Sequence, residues 1–164
     1  TCGGATVEGR SVFAAAAPPL VSVPCDFCSA APRYRWEVLL PRDTIARRAT
    51  DWCNARGRPL GKLERIEVLS APVGAVGQVK LVGSEGDSVL SAHEFRQQIA
   101  GVELLPSAAF EIETAGDAWR AWGRGFGHRV GMCQWGARQQ AQLGRSCQEI
   151  LAHYYPGTEL AIVR

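Results

Sequence analysis

The stretch Leu63–Val82, LERIEVLSAPVGAVGQVKLV, decides the fold. Two runs in it, Leu63-Glu64-Arg65-Ile66-Glu67-Val68-Leu69 and Gln78-Val79-Lys80-Leu81-Val82, alternate polar with apolar residues and are joined by a Pro- and Gly-bearing connection. Period-two alternation puts one face of a strand on a core and the other in water, and the connection predicts an antiparallel hairpin. Working outward, Tyr34–Leu40 reads as a further strand ended by Pro41. From Arg42 to Ala55, Ile45, Ala46, Ala49, Trp52 and Cys53 recur at spacings of three and four, which predicts an amphipathic helix with Gly57 beyond its end. Ser91 with Glu94 forms a capping-box pattern opening a short helix through Ile99, and Ala109–Glu113 reads as another strand. Helices and strands alternate without a regular βαβ repeat, so the expected class is α+β, with antiparallel strands and short helices in a single domain. Residues 1–33, rich in Ala, Pro and Cys, read as loop and turn ahead of an α+β body over 34–164, and such an opening suggests a domain incomplete at its N-terminus.

With 164 residues and 46% hydrophobic content the chain can bury the core of one domain. The net charge of +2, with neither a basic run nor a charge block, argues against nucleic acid as a partner. Val12–Val21, the longest apolar stretch, is too short to span a bilayer and is broken by Pro18 and Pro19, so no transmembrane segment is expected. The chain starts without Met or a charged leader, as expected if a signal peptide was removed or was not included in this sequence. Six cysteines fit an oxidising compartment or a metal site.

The C-terminal quarter is strongly patterned. Gly125–Ala137, GFGHRVGMCQWGA, joins a glycine-punctuated loop holding His128 to the start of a helix carrying Gln134. Gly144 sits where that helix would stop, Ser146–Glu149 reads as a capping box, and Ile150–Tyr155 continues a second helix. Pro156-Gly157 then turns the chain into a short apolar strand, Leu160–Val163. The loop setting should expose the His128 imidazole for a functional role, against the alternative that it bonds its own loop. Cys133, five residues after His128, invites a nucleophile reading, but no third group orients the base, so a structural thiol, a disulfide partner or a metal ligand is preferred. Cys25 and Cys28 have the Cys-x-x-Cys spacing that brings two thiolates to one tetrahedral zinc, with a disulfide as the alternative. Cys53 and Cys147, at helical positions, read as small core residues. Trp119, Trp122 and Phe126, interleaved with Arg120 and Arg124, suit a glycan groove in which aromatic faces stack on sugars and Arg pairs with carboxylates. Core packing of a strand leading into the loop is the competing reading, preferred for Trp119. Glu94 and Glu149 are accounted for by capping, and no carboxylate stands out as a general acid.

Residues 125–164, GFGHRVGMCQWGARQQAQLGRSCQEILAHYYPGTELAIVR, resemble the C-terminal signature of the SpoIID/LytB family, notably at Gly127, His128, Gly131, Gln134, Gly136 and Tyr154-Tyr155-Pro156-Gly157. Leu90–Arg96 with Pro106-Ser107 and Phe110, and Cys2-Gly3-Gly4-Ala5-Thr6, also resemble family elements. The family most often has Gly where Arg129 stands and Ser where Cys133 stands. The resemblance implies peptidoglycan glycan strands as the ligand and, in the complete domain, lytic transglycosylase chemistry giving anhydro-muramic ends. It gives supporting catalytic roles to His128 and Gln134, and substrate contacts to Trp122, Arg124, Gly127 and Arg129. The family's catalytic glutamate precedes the Gly-Gly-x-Thr element, so it is expected outside this chain. Because Cys2 and Cys133 lie in family elements, they are the best partners for Cys25 and Cys28 around a structural zinc, with disulfides or an upstream His ligand as alternatives. No cofactor is implied for the chemistry itself. Two alternatives remain: a non-catalytic amidase-enhancer-type module that recruits a cell-wall amidase or another envelope protein, and a zinc-stabilised interaction domain. All these readings imply action in a bacterial envelope, outside the cytoplasm.

Overall fold

The computed structural model describes residues 1–15, 18–69, 71 and 74–161. The chain is α+β and forms two compact units, one of Thr1–Tyr34, Val73–Ala75 and Gly125–Arg164, the other of Arg35–Pro72 and Val76–Arg124.

The second unit holds all the named strands. Strand β1 (Arg35–Pro41) leads directly into helix α1 (Arg42–Asn54). Strands β2 (Leu63–Leu69), β3 (Gln78–Gly83) and β4 (Asp87–Ser91) form one antiparallel sheet, in the order β2-β3-β4. Strands β5 (Phe110–Ala115) and β6 (Ala118–Arg124) complete a second with β1, in the order β1-β6-β5. The expected hairpin is β2-β3; of its connection, Ser70, Pro72 and Val73 lie outside the described residues. A register shift between Leu63 and Arg65 explains how a strand whose first two apolar residues are three apart turns both inward. The extra residue of the bulge returns Leu63 to the face of Ile66, and both are buried.

The apolar stripe of α1 behaves as its spacing predicts: Ile45, Ala49, Trp52 and Cys53 are buried, in one core with Leu81, Phe95, Ile99 and Trp119. Each large apolar side chain removed from water there contributes about 1.5–3 kcal/mol. Trp119 is thus a core residue, while Trp122, on the same strand, is 37% exposed.

The segment after β4 departs from a simple helix. Ser91 Oγ accepts the Glu94 N–H at 3.0 Å, but the Glu94 carboxylate meets Arg56 at 3.4 Å, so only half of the expected capping box forms. Helix α2 covers Ala92–Glu94 alone, and Phe95–Ala100 widen into a π turn closed by Gly101 N–H to Arg96 O at 2.9 Å. The wider turn buries Phe95, Arg96, Ile99 and Ala100 together, and Arg96 Nε donates to Leu105 O at 2.7 Å.

In the first unit, the described residues of 1–33 carry two 3-10 turns, Gly9–Ser11 and Asp26–Cys28, and isolated bridges, Ala5 to Pro24 and Val7 to Val130. The segment is nonetheless well packed: Cys2, Thr6, Val7, Cys25 and Cys28 are buried. Helix α3 (Gln134–Gln142) ends at Leu143 with Gly144 at φ 84, and α4 (Cys147–Tyr154) opens on a complete Ser146–Glu149 capping box. Cys147 is exposed at the first position of α4, so it is not the core residue expected from its helical position; a first-turn residue there faces solvent. The expected strand over Leu160–Val163 is not seen at Leu160 and Ala161, which are exposed and unpaired with any strand; Ile162 and Val163 lie outside the described residues. Among the described residues no helix is long and apolar enough to cross a membrane.

Candidate functional site

The loop Gly125–Cys133 is built on alternation. Gly125, Gly127, Arg129 and Gly131 all have positive φ, at 79°, 83°, 63° and 68°. Glycine takes this conformation without penalty, and at Gly127 no other atom lies within contact of a Cβ, so backbone geometry alone asks for glycine there. Arg129 is the described non-glycine residue with positive φ, and its guanidinium compensates: Nε donates to Cys2 O at 2.6 Å and Nη2 to Ala5 O at 3.1 Å. With Val7 N–H to Arg129 O at 2.9 Å and Phe126 N–H to Thr1 O at 2.8 Å, these bonds lace the opening segment to the loop.

His128 is exposed, as expected from its loop setting. Its Nδ1 accepts the Val130 N–H at 3.0 Å, which assigns the proton of the neutral ring to Nε2, and the Phe13 ring meets it edge-on at 5.5 Å. Gln134, also exposed, is the first residue of α3. The two line a hollow of about 200 Å³ together with Thr1, Cys2, Phe126 and Met132. Gly127 and Arg129 belong to its wall, and no Asp or Glu does among the described residues. Trp122 and Arg124, the other expected substrate contacts, are on β6 of the second unit. There Arg120 lies over the Trp122 ring at 5.6 Å, and the Arg124 carbonyl accepts from Ser107 Oγ at 2.7 Å.

Beside this hollow the first unit gathers four cysteines. Cys2, Cys25, Cys28 and Cys133 are all buried, and their sulfurs lie within 4.8 Å of one another. That grouping could hold a metal ion. A tetrahedral zinc with bonds of about 2.3 Å sets its sulfurs about 3.8 Å apart, so the donor set fits such an ion in number, type and spacing. Cys133 is the N-cap of α3, where its Sγ accepts the Gly136 N–H at 3.3 Å and the Cys2 N–H at 3.4 Å. The neighbouring Cys2 and Cys25 thiols and these amides hold the Cys133 thiol far below its ordinary range. Hydrogen bonding to Cys133 and burial push Cys2 far up, and Cys25 is pushed up to about 12, chiefly by Cys133. Cys53, buried in the other unit, takes no part.

Two residues that sequence reasoning left as mere signature positions hold this arrangement. The Tyr154 hydroxyl contacts Cys25 Sγ at 3.1 Å, and the Tyr155 hydroxyl accepts the Met132 N–H at 3.2 Å. Adjacent tyrosines closing a helix just before Pro-Gly were the available signal.

The family described as Domain of unknown function (DUF8618) matches residues 25–131. An uncharacterized protein of Brachyspira hyodysenteriae is 31% identical over 97% of this chain and 41% of its own length. Stage II sporulation protein D of Bacillus subtilis is 26% identical over 98% of this chain and 43% of its own length. The amidase enhancer of the same organism is 37% identical over 41% of this chain and 9% of its own length. The chain thus spans about two-fifths of the two relatives that match nearly all of it. These matches make it a member of the SpoIID/LytB family, carrying across residues 25–131 the domain described as Domain of unknown function (DUF8618).

Proposed function

We propose that this chain is the glycan-binding part of a peptidoglycan-acting protein working outside the cytoplasm, in a bacterial envelope. The observation that carries this reading is the shared hollow of His128 and Gln134, an exposed imidazole and an exposed carboxamide on one loop-helix junction. An Nε2–H donor beside a group that both donates and accepts suits the hydroxyl and N-acetyl groups of a glycan strand. Phe126 and Met132 add apolar wall for a sugar face. Gly127 admits the ligand close to the backbone and Arg129 holds the wall in place, while Trp122 and Arg124 are proposed glycan contacts of the second unit.

In the whole protein the proposed reaction is non-hydrolytic. A glutamic acid, carried in the family ahead of the Gly-Gly-x-Thr element, protonates the glycosidic oxygen and the bond to the anomeric carbon breaks. The muramic C6 hydroxyl closes on that carbon and returns its proton to the carboxylate, leaving an anhydro-muramic end. His128 and Gln134 stabilise the charge developing at the sugar. The test is binding of purified glycan strands to wild type, His128→Ala and Gln134→Ala, with full-length protein assayed for anhydro-muramic ends. Each substitution should weaken binding about tenfold, the loss of one hydrogen bond of about 1.4 kcal/mol. Unchanged binding in both variants rejects the assignment.

An accessory role of the amidase-enhancer kind is the second reading, favoured by the lack of a carboxylate among the residues lining the hollow. It predicts glycan binding without anhydro ends, and faster turnover by a cell-wall amidase.

The four-sulfur group we read as a structural zinc site. Cys2 and Cys28 Sγ lie 3.4 Å apart, well beyond a disulfide bond of about 2.05 Å, all four cysteines are free, and the amide donors on Cys133 favour a thiolate. Zinc there would cross-link the opening segment to the start of α3, the residues that also wall the hollow.

A further inference from the structure

The hydroxyl of Tyr154, on the C-terminal helix α4, touches a sulfur of the quartet. Tyr154 is fully buried, and its oxygen lies 3.1 Å from Cys25 Sγ. A phenol hydroxyl has a proton to donate, and the thiolate that a metal requires has only lone pairs to offer in return.

The surroundings are built around this contact. A Cβ at Gly136 would collide with the Tyr154 hydroxyl and stand 2.6 Å from Cys25 Sγ, so α3 can pass only as glycine. One turn along α3, Gln140 is fully buried next to the phenol. Its Oε1 accepts from Arg145 Nη1 at 2.7 Å, and its Nε2 has no hydrogen-bond partner among the described residues. An Arg-anchored carboxamide with its NH2 left over at full burial is the group a phenol oxygen needs behind it once its own proton is given to sulfur.

We propose that Tyr154 is a positioning residue of the four-sulfur metal site: its O–H donates to Cys25 Sγ, fixing that ligand's rotamer and drawing charge from it, while Gln140 backs the phenol. The inference rests on the zinc reading above and deepens it. Outer hydrogen bonds to metal ligands are worth about 10–100-fold in metal affinity. Removing this one also leaves a more electron-rich thiolate, which donates to the metal at lower energy.

The experiment is chelator competition for zinc, and the absorption spectrum with cobalt(II), on the chain as wild type, Tyr154→Phe, Gln140→Met and Tyr155→Phe. Tyr154→Phe should bind one metal ion with about 10–100-fold lower affinity and move the sulfur-to-cobalt band to longer wavelength. Gln140→Met should move both in the same direction by less, and it serves as the deciding variant if Tyr154→Phe does not fold. Tyr155→Phe, which removes a hydroxyl that accepts from the Met132 N–H, should leave the band in place. If wild type binds metal and the Tyr154 and Gln140 variants match it in affinity and spectrum, this inference is overturned and the zinc site stands. If wild type takes up neither metal, both fall.

Discussion

Arg129 Nε and the carbonyl oxygen of Cys2 lie 2.6 Å apart, joining a residue of positive φ in the site loop to a ligand of the sulfur quartet. The position therefore combines two opposed demands, a backbone suited to glycine and a side chain glycine lacks. Arg129→Ala keeps the strain and loses both donors, whereas Arg129→Gly loses the donors and relieves the strain. In denaturant unfolding, Ala should be the less stable by about 1 kcal/mol, with both below wild type. Equal stability of the two variants would show that the backbone is not strained there.

Gly136→Ala is expected to destabilise although alanine is the better helix former by about 1 kcal/mol. The added methyl would run into the Tyr154 hydroxyl and Cys25 Sγ, and crowding of that kind costs about 1–3 kcal/mol. Thermal unfolding checks the sign. A rise in Tm would mean that α3 and α4 are packed less closely than described.

Thiol counting separates metal ligation from disulfides. Protein unfolded in denaturant with chelator and without reductant should expose six reactive thiols if the quartet holds zinc. Two or four would indicate paired cysteines. Under the zinc reading, metal content should be one ion per chain, abolished by Cys28→Ser, and affinity should fall as pH drops because protons compete for the sulfurs.

The α4 capping box makes a pH prediction. The Ser146 N–H and Oγ, each 2.7 Å from Glu149 Oε2, hold that carboxyl below its ordinary 4.5. A depressed pKa stabilises the fold above the unfolded value, and the contribution is lost as pH falls through the folded one. Wild type should therefore exceed Glu149→Gln in stability at neutral pH and converge with it in acid. Ser146→Ala, which removes the cap on the Glu149 N–H, should cost about 1 kcal/mol in urea unfolding at neutral pH.

Much of this was readable from residue pattern, and the exceptions have physical causes. Alternation in Leu63–Leu69 and the three-four spacing in α1 are repeated signals, and both elements form as expected. Strand β4 went unread because Asp87-Ser88-Val89-Leu90-Ser91 is short and poor in β-formers; it exists because β3 offers it an edge, aligning Leu90 with Val79. The π turn was hidden because Phe95–Ala100 read as ordinary helix, and only the burial of Arg96 beside Phe95 reveals the wider winding. The cysteine quartet was legible only through the family resemblance of the segments around Cys2 and Cys133, since nothing in their spacing from Cys25 and Cys28 marks them as neighbours. Tyr154 was missed as a partner of Cys25 because contacts 129 positions apart leave no periodic trace.

The sulfur quartet is divided unevenly along the chain, with three thiols by residue 28 and the fourth at residue 133. The first three can gather within the opening segment, whereas the fourth belongs to the C-terminal quarter, so the four sulfurs come together only once that quarter has folded against the start of the chain.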